Sequence, residues 1–197
     1  MSSDPTGRLV LARHGRTELN AAGQLRGLLD PPLDEVGERE ALALARALAP
    51  LRPAHVRTSP LRRAVRTGQV IAEHSQGAGV VSTPDPGLLD RDYGQWAGHD
   101  RAEVVQRFGS IDAAPGVEPV AQVLARARAA LDAQVPLLAE GTVVLVAHDA
   151  VNRQLLAQLD PSLGDPETIP QRTACWNLLS FADGAWRVEE IDHKPAA

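Results

Sequence analysis

Arg8-Leu-Val-Leu-Ala-Arg-His-Gly15 is the stretch of this sequence that decides the fold. Residues 8–12 form an apolar run that is too short for a helix and is typical of a strand buried on both faces of a sheet. His14 follows at the carboxyl end of that strand. A second buried strand, predicted at residues 142–147, ends in the same way at His148. The sequence therefore predicts two buried strands that each deliver a histidine.

The rest of the chain alternates between helical and extended patterns. Asp34 is placed to cap a helix whose apolar positions recur at helical spacing until Pro50 stops it. Ser59-Pro60 predicts the start of another helix, with Ser as the cap and Pro at the first helical position, so that Arg63 lies one turn inside it. Further strands are predicted at residues 55–58, 79–82, 176–181 and 186–191, and further helices at 120–135 and 150–159.

This alternation predicts the fold class. Strands that alternate with helices favour a three-layer α/β/α fold with a mainly parallel sheet, and the closing hairpin around Asp183-Gly184 is expected to add an antiparallel edge strand. A chain of 197 residues and 21.0 kDa is expected to form one domain, here over residues 8–197. Residues 1–7 are small and polar, and they are expected to form a flexible N-terminal tail.

Composition excludes several classes of partner. A formal net charge of −5 and an aromatic content of 3% argue against a nucleic-acid-binding surface. No apolar run approaches the roughly 20 residues that span a bilayer, so no membrane partner is expected. The N-terminus lacks the apolar core of a secretory signal, and Cys175 is the only cysteine, which together predict a cytoplasmic protein. The expected partner is a small molecule, and the oligomeric state stays open.

The positions of the two histidines predict the chemistry. Ligands of open α/β sheets bind outside the carboxyl ends of the strands, where His14 and His148 are placed. A neutral imidazole, with a reference pKa of about 6.5, is a nucleophile that can carry a phosphoryl group. Arg13 and Arg63 would supply bidentate donors to the phosphoryl oxygens, and the amino end of the helix predicted after Ser59 would add partial positive charge.

Six segments, in order along the chain, resemble the motifs of one enzyme family. They are Leu9-Val-Leu-Ala-Arg-His-Gly-Arg-Thr17 with Asn20, the Gly27, Asp30, Pro32, Leu33 and Gly37 pattern, Ser59-Pro-Leu-Arg-Arg-Ala64 with Thr67, Leu88-Leu-Asp-Arg-Asp-Tyr-Gly-Gln-Trp-Ala-Gly98, Gly116-Val-Glu118 with Arg126, and the strand that ends at His148. Each motif is weak alone, but the ordered set makes a chance match improbable. The chain resembles the histidine phosphatase superfamily, which also contains the cofactor-dependent phosphoglycerate mutases.

The resemblance implies a phosphoglycerate mutase-like fold and a phosphomonoester hydrolase that acts on a small phosphorylated metabolite. It implies that His14 is the nucleophile and forms a phosphohistidine, that Arg13 and Arg63 clamp the phosphate, and that His148 contacts the phosphate and the transition state. Asn20 belongs to the same signature and is expected to bind substrate. No cofactor and no metal ion are expected, because the phosphate clamp is built from arginines and no metal-ligand motif is present.

Two departures from the family pattern bear on substrate choice. Arg16 stands where Glu usually follows the Arg-His-Gly signature, and Arg26 stands where Gln is common before Gly27. If both arginines face the pocket, its mouth is cationic and favours a substrate with a second negative group. The bland alternative is that both are solvated surface residues.

Two further departures leave the proton donor open. Asp90 replaces the usual Glu of the acid-bearing loop, and Asp149 replaces the Gly that usually follows the second histidine. Alignment favours Asp90 as the donor. His148-Asp149 instead resembles the His-Asp pair of the acid phosphatase and phytase branch, in which the Asp donates the proton. A third possibility is that Asp149 only caps the helix that follows it.

Two other functions compete with hydrolysis. A mutase would return the phosphoryl group to its substrate. The resemblance implies that mutases have longer chains with inserted segments that close over the site, whereas only about sixteen residues separate Gly98 from Pro115 here. A phosphoester-binding protein without catalysis is the other alternative, and the altered acid loop motivates it. Turnover of any phosphomonoester that is lost in a His14→Ala variant discriminates an enzyme from a binding protein.

Overall fold

A computed structural model describes residues 7–77 and 79–196 of the protein. The strands are β1 (Arg8–Arg13), β2 (Pro53–Thr58), β3 (Ser82–Pro84), β4 (Thr142–Ala147), β5 (Trp176–Ala182) and β6 (Ala185–His193). The α-helices are α1 (Glu18–Ala21), α2 (Glu35–Leu48), α3 (Arg62–Glu73), α4 (Arg101–Phe108), α5 (Val120–Asp132) and α6 (Asp149–Leu159). No helix in the described part of the chain is long and apolar enough to cross a membrane.

All six strands join one sheet in the order β3-β2-β4-β1-β5-β6. The four strands from β3 to β1 are parallel to their neighbours, whereas β5 is antiparallel to both β1 and β6. The predicted α/β fold with a mainly parallel sheet and an edge built by the closing hairpin is therefore confirmed. In the pairing of β1 with β4, Arg13 lies opposite Ala147. The two strands consequently end level with each other, and His14 and His148 leave the sheet side by side.

The alternation of side chains along β1 divides the core into two layers. Leu9 and Leu11 face a buried cluster that includes residues of α5 and α6. Val10 and Ala12 point the other way, into a cluster that includes residues of α2 and α3. Because successive side chains of a strand point to opposite faces, one short apolar run supplies both layers. The result is the three-layer arrangement expected from the sequence.

Helix α2 forms as its sequence predicts. The Asp34 side chain accepts a hydrogen bond from the amide of Gly37 at 2.7 Å, which satisfies one of the unpaired donors of the first turn. Glu35 and Glu38 lie in that first turn, where the helix dipole favours negative charge. The helix ends at Leu48, two residues before Pro50.

Helix α3 corrects one prediction. It begins at Arg62, not at Pro60, and its N-cap is Leu61, not Ser59. The amide of Ser59 donates to the carbonyl of Val146 at 2.9 Å, so this residue still continues the pairing of β2 with β4. The first-turn amide of Arg62 is instead satisfied by the carboxylate of Asp30, at 2.7 Å. A side chain from a loop distant in sequence thus accepts the capping hydrogen bond that the sequence pattern predicted for Ser59.

Strand β3 and two helices also differ from expectation. The strand predicted at residues 79–82 lies at Ser82–Pro84, because Val56 of β2 is paired with Ser82 and Thr58 with Pro84. Pro84 is tolerated because β3 is an edge strand. Helices α1 and α4 were not predicted at all.

A third apolar cluster, here called the cap cluster, lies outside the sheet layers. Its buried members are Leu25, Tyr93, Trp96, Val104, Ile111 and Ala114. Backbone hydrogen bonds hold the segment around Leu25 to the acid-bearing loop, since Gly98 donates to the Leu25 carbonyl at 2.7 Å. The cap cluster therefore fixes Arg26 and Asp90, which flank it, relative to the ends of β1 and β4.

The single-domain boundary of residues 8–197 stays a prediction. Of the predicted tail, residues 1–6 lie outside the described residues. Gly7 is described and is buried, where a Cβ atom would lie 2.1 Å from the carbonyl oxygen of Leu138.

Candidate active site

One ring nitrogen of His14 has a hydrogen-bond partner, and the other has none among the described residues. Its Nδ1 lies 2.6 Å from the carbonyl oxygen of Gly15, a geometry that places the proton on Nδ1. Its Nε2 is buried and has no hydrogen-bond partner among the described residues. The backbone there is crowded, because a Cβ atom on Gly15 would lie 2.5 Å from the carbonyl oxygen of Gly37 in α2. The lone pair of Nε2 is thus available to a phosphorus atom.

His148 occupies the position before α6 and faces His14. Its backbone is extended, with φ of −129°, and α6 starts at the next residue. The two imidazole centroids are 5.1 Å apart, and the ring planes are tilted by 59°. Neither nitrogen of His148 has a hydrogen-bond partner in the described part of the chain. Its ring N–H is therefore available to a bound anion.

Arg63 and Asp90 are hydrogen-bonded to each other and fully buried beside the histidines. Nη2 of Arg63 donates to Oδ2 of Asp90 at 2.9 Å, and both side chains have zero exposure. The guanidinium also donates to the carbonyl oxygens of Leu29 at 2.7 Å and Gly27 at 2.9 Å. These bonds fix the guanidinium and leave its Nε buried without a partner among the described residues.

A group of ion-paired side chains lies nearer the surface. Nη2 of Arg26 donates to Oδ1 of Asp149 at 2.7 Å, and Nη2 of Arg13 lies 3.8 Å from Oδ2 of the same carboxylate. Arg13 also donates to the carbonyl oxygen of Gln171. The side chain of Asp149 is 23% exposed, whereas that of Arg26 is 10% exposed. This group forms the outer rim of the site.

The environment keeps both imidazoles neutral. Burial, followed by the charges of Arg63, Arg13 and Arg26, holds the pKa of His14 well below its ordinary value of 6.5. Burial and Arg63 lower the pKa of His148 in the same way. Because a protonated imidazole has no lone pair to offer, these shifts preserve the nucleophilic form of His14 into acidic solution.

The pKa values of the two candidate proton donors, Asp90 and Asp149, are shifted in opposite directions. Burial raises the pKa of Asp90, although Arg63 and Arg26 work against that rise. Burial would also raise the pKa of Asp149, but Arg13 and Arg26 more than offset it and hold this pKa well below its usual range. Asp90 thus retains a proton more readily than Asp149, which stays ionised.

The buried donors without partners point to an anion. Besides the two histidines, Nε of Arg13, Arg26 and Arg63 is buried and has no partner among the described residues. Buried polar atoms are normally hydrogen-bonded, and an unpaired set of positively charged donors is what a phosphoryl group satisfies. His14 and His148 have zero exposure.

Two predicted substrate-binding residues are not brought into this cluster. Nε of Arg16 donates to Asp34, the N-cap of α2, at 2.8 Å. Asn20 forms a capping box with Thr17 at the start of α1, where its Oδ1 accepts from the Thr17 amide at 3.0 Å. The cationic mouth expected from Arg16 and Arg26 is also altered, because each guanidinium has a carboxylate partner.

The sequence did not indicate the residues that support the side chains of the site through hydrogen bonds. Gln171 accepts from Arg13 through its carbonyl, and its side chain is bonded to Asn152 at 3.1 Å and to Asn177 at 2.8 Å. No local motif marks Gln171. Arg126 was noticed only as part of a motif, and it donates to the backbone carbonyl of Asp90 at 3.0 Å.

A cavity of about 490 Å³ adjoins Asp90. Its lining includes the apolar side chains of Leu28 and Val117 and the carboxylates of Asp92 and Glu118. Glu118 is ion-paired with Arg126 at 2.9 Å. Burial would raise the pKa of Glu118, but the hydrogen bonds and charge of Arg126 lower it below its ordinary value. The cavity therefore combines apolar side chains with two carboxyl groups and the guanidinium of Arg126.

Comparisons with known proteins agree on one family. The sequence profile of the histidine phosphatase superfamily (branch 1) matches residues 9–194. The uncharacterized phosphatase PhoE of Bacillus subtilis is 31% identical over 186 residues, which are 93% of each chain. The glucosyl-3-phosphoglycerate phosphatase of Mycobacterium tuberculosis is 32% identical over 205 residues, covering 91% of this chain and 86% of the relative.

Solved structures agree with the sequence comparisons. The structure of a mycobacterial glucosyl-3-phosphoglycerate phosphatase in complex with VO3 superposes with a TM-score of 0.84 at 30% identity, covering 94% of this chain and 98% of that one. A phosphoglycerate mutase from Bacillus anthracis has the same fold, with a TM-score of 0.84 at 22% identity over 94% of this chain and 92% of that one.

Proposed function

The chain belongs to the histidine phosphatase superfamily and is a phosphatase, and on that premise we propose that it hydrolyses small phosphomonoesters through a phosphohistidine on His14, without a metal ion. One observation carries the proposal. Nδ1 of His14 is committed to Gly15, while Nε2 is bare, neutral and surrounded by buried donors that lack partners. This is the arrangement that a histidine nucleophile needs.

In the first step, the lone pair of His14 Nε2 forms a bond to phosphorus. The bond from phosphorus to the ester oxygen breaks, both electrons go to that oxygen, and Asp90 in its acid form supplies the proton. Arg13, Arg63 and His148 donate to the nonbridging oxygens, where charge spreads in the transition state. The product of this step is an alcohol and a phosphohistidine.

In the second step, a water molecule attacks the phosphohistidine. The carboxylate of Asp90 takes a proton from the water, the bond from nitrogen to phosphorus breaks, and its electrons return to Nε2. Inorganic phosphate leaves and the starting enzyme is restored. Asp90 thus acts as acid and then as base, a pair of roles that suits a carboxyl group whose pKa is raised by burial.

The cavity next to Asp90 suggests which esters fit. The leaving alcohol has to lie beside its proton donor, so we assign this cavity to the leaving group. Leu28 and Val117 offer apolar contact and Asp92 would repel a second anion, whereas the charge of Glu118 is compensated by Arg126, which also lines the cavity. We therefore propose that a neutral alcohol, such as a polyol, is preferred. The relative from Mycobacterium tuberculosis carries a phosphoglycerate ester in its name, and that anionic class is the competitor.

The proposal includes a cytoplasmic location. Cys175 is the only cysteine in the chain, it is buried, and it forms no disulfide. Free buried thiols are typical of reducing compartments.

Rapid-quench labelling with a 32P-labelled phosphomonoester tests the function. We expect a protein-bound phosphoryl group that is labile in acid, stable in alkali and located on His14 by peptide mapping. The His14→Ala variant should neither turn over substrate nor trap label. Label on Ser59, or turnover that survives in His14→Ala, would contradict the proposal.

A further inference from the structure

Two departures from the superfamily pattern meet each other in the fold. Arg26 stands where Gln is usual, and Asp149 stands where Gly is usual. They are 123 residues apart in sequence, yet Nη2 of Arg26 donates to Oδ1 of Asp149 at 2.7 Å. A residue of the loop after α1 that departs from the pattern is therefore hydrogen-bonded to the first residue of α6, which also departs from it.

We propose that Arg26 and Asp149 act as one unit, in which Arg26 is a third phosphoryl-binding arginine and Asp149 is the positioning carboxylate that holds Arg26 and Arg13 beside His14. The inference rests on the proposed function, because it assigns these residues to the same phosphoryl site. It gives Asp149 a role other than proton donation.

Charge compensation is the first argument for this unit. The side chains of Arg13 and Arg26 are 9% and 10% exposed, so each guanidinium has lost most of its hydration. Two buried cations that lie close together repel each other, and each lowers the stability of the other's charged form. The Asp149 carboxylate lies 2.7 Å from one guanidinium and 3.8 Å from the other. A Gly at this position would remove the carboxylate that faces both cations.

The donors of Arg26 are the second argument. Nη1 donates to the carbonyl oxygen of Gln24 at 3.2 Å, and Nη2 is used by Asp149. Nε is buried and has no partner among the described residues. The charge of Arg26 is also among those that lower the pKa of His14. Asp149 therefore fixes Arg26 near the nucleophile while a donor remains for a phosphoryl oxygen.

The third argument concerns the other roles open to Asp149. Its carboxylate is hydrogen-bonded to Arg26 and not to an amide of the first turn of α6, so helix capping does not explain it. Two guanidiniums stabilise its ionised form, which makes it a poor source of protons. The geometry is that of a carboxylate that orients two arginines.

Binding of inorganic phosphate tests the unit without requiring turnover. Arg26→Gln, Asp149→Asn and the double variant would be titrated with phosphate by calorimetry. Each single variant should bind phosphate about tenfold to hundredfold more weakly than the wild type, the size expected for a lost charged hydrogen bond. Because Asp149 is proposed to act through both Arg26 and Arg13, the loss of affinity in the double variant should be clearly smaller than the product of the two single losses. The conservative variant Asp149→Glu should recover part of the loss.

A matched control comes from an exposed ion pair on α2 and α3. Arg66 and Glu38 lie 3.0 Å apart, and each side chain is 43% exposed. Arg66→Gln and Glu38→Gln should change phosphate affinity by less than about twofold. Thermal unfolding of every variant shows whether a loss reflects misfolding.

Three results would overturn the inference. They are independent, additive losses in the double variant, tighter phosphate binding by Asp149→Asn than by wild type, and a loss in Asp149→Asn confined to esters with poor leaving groups. Absence of a phosphohistidine would contradict the proposed function but would leave a coupled effect on phosphate binding intact.

Discussion

Asp90 and His148 lie side by side without a hydrogen bond between them, with Oδ2 of Asp90 at 3.7 Å from Nδ1 of His148 and both side chains fully buried. Burial raises the pKa of Asp90 and lowers the pKa of His148. Burial of both side chains thus favours a protonated carboxyl group and a neutral imidazole in adjacent positions. When the pKa values of neighbouring groups are shifted in opposite directions, the two groups commonly take different roles, one as the acid and the other as a neutral hydrogen-bond donor.

The first prediction concerns the proton donor. Asp90→Asn should lose about 10²- to 10⁴-fold more rate on an alkyl phosphate than on p-nitrophenyl phosphate, because only the alkoxide needs a proton to leave. Asp149→Asn should lose similar factors on both esters. Steady-state kcat/KM for the two substrates measures the difference. The assignment is reversed if Asp149→Asn shows the gap and Asp90→Asn does not.

The second prediction is the pH dependence. In the proposed mechanism His14 acts in its neutral form, and its lowered pKa means that activity is lost only when the pH falls well below 6.5. Asp90 is proposed to act in its acid form, and its raised pKa means that this form persists above pH 3.8 and is lost as the pH rises further. The alkaline decline of kcat/KM should therefore appear with an alkyl phosphate and nearly vanish with p-nitrophenyl phosphate. An equal decline with both esters would remove Asp90 from the donor role.

The third prediction is that activity survives chelation. The phosphoryl charge is met by Arg13, Arg63 and His148 in the proposed site, so excess chelator should leave hydrolysis of p-nitrophenyl phosphate unchanged. The assay compares rates before and after exhaustive treatment with chelator. Loss of activity that a divalent metal restores would contradict the metal-independent mechanism.

The fourth prediction concerns the leaving group. Glycerol phosphate should have a higher kcat/KM than 3-phosphoglycerate, because the carboxylate of Asp92 lines the cavity beside Asp90. Asp92→Asn should narrow this difference by about threefold to tenfold, the effect of removing one partly solvated like charge. In parallel, Arg26→Gln tests the alternative that Arg26 selects a second negative group. If Arg26→Gln lowers activity on 3-phosphoglycerate much more than on glycerol phosphate, the leaving-group assignment is wrong.

The fifth prediction tests the packing behind the nucleophile. A Cβ atom on Gly37 would lie 2.0 Å from the carbonyl oxygen of Arg16, so Gly37→Ala must push α2 away from the His14 loop. We expect the free energy of unfolding to fall by about 1–3 kcal/mol, and kcat to fall with it. Gly184→Ala is the control, since it lies in the turn between β5 and β6 with no atom within 4 Å and φ of +77°. It should lose about 1–2 kcal/mol through backbone strain while kcat stays unchanged.

Several elements were decided by the sequence alone. Strands β1 and β4 were predicted because each is a short apolar run that ends at a histidine. Such a pattern can be recognised without knowing which strands will pair. Helix α2 was predicted because its cap, Asp34, lies next to it. His14, His148 and Arg13 followed from the same local patterns, and the fold and the family that these patterns implied are confirmed.

Only the tertiary structure decided which charges face each other. Arg16 and Arg26 are alike in sequence, yet Arg16 is bonded to Asp34 and Arg26 to Asp149. The start of α3 likewise depends on Asp30, which reaches the Arg62 amide from a separate loop. Patterns along the chain encode burial and local capping, which act over a few residues. Ion-pair choice depends on where loops separated by many residues come to lie, and that is fixed only when the sheet, its helices and the cap cluster have packed together.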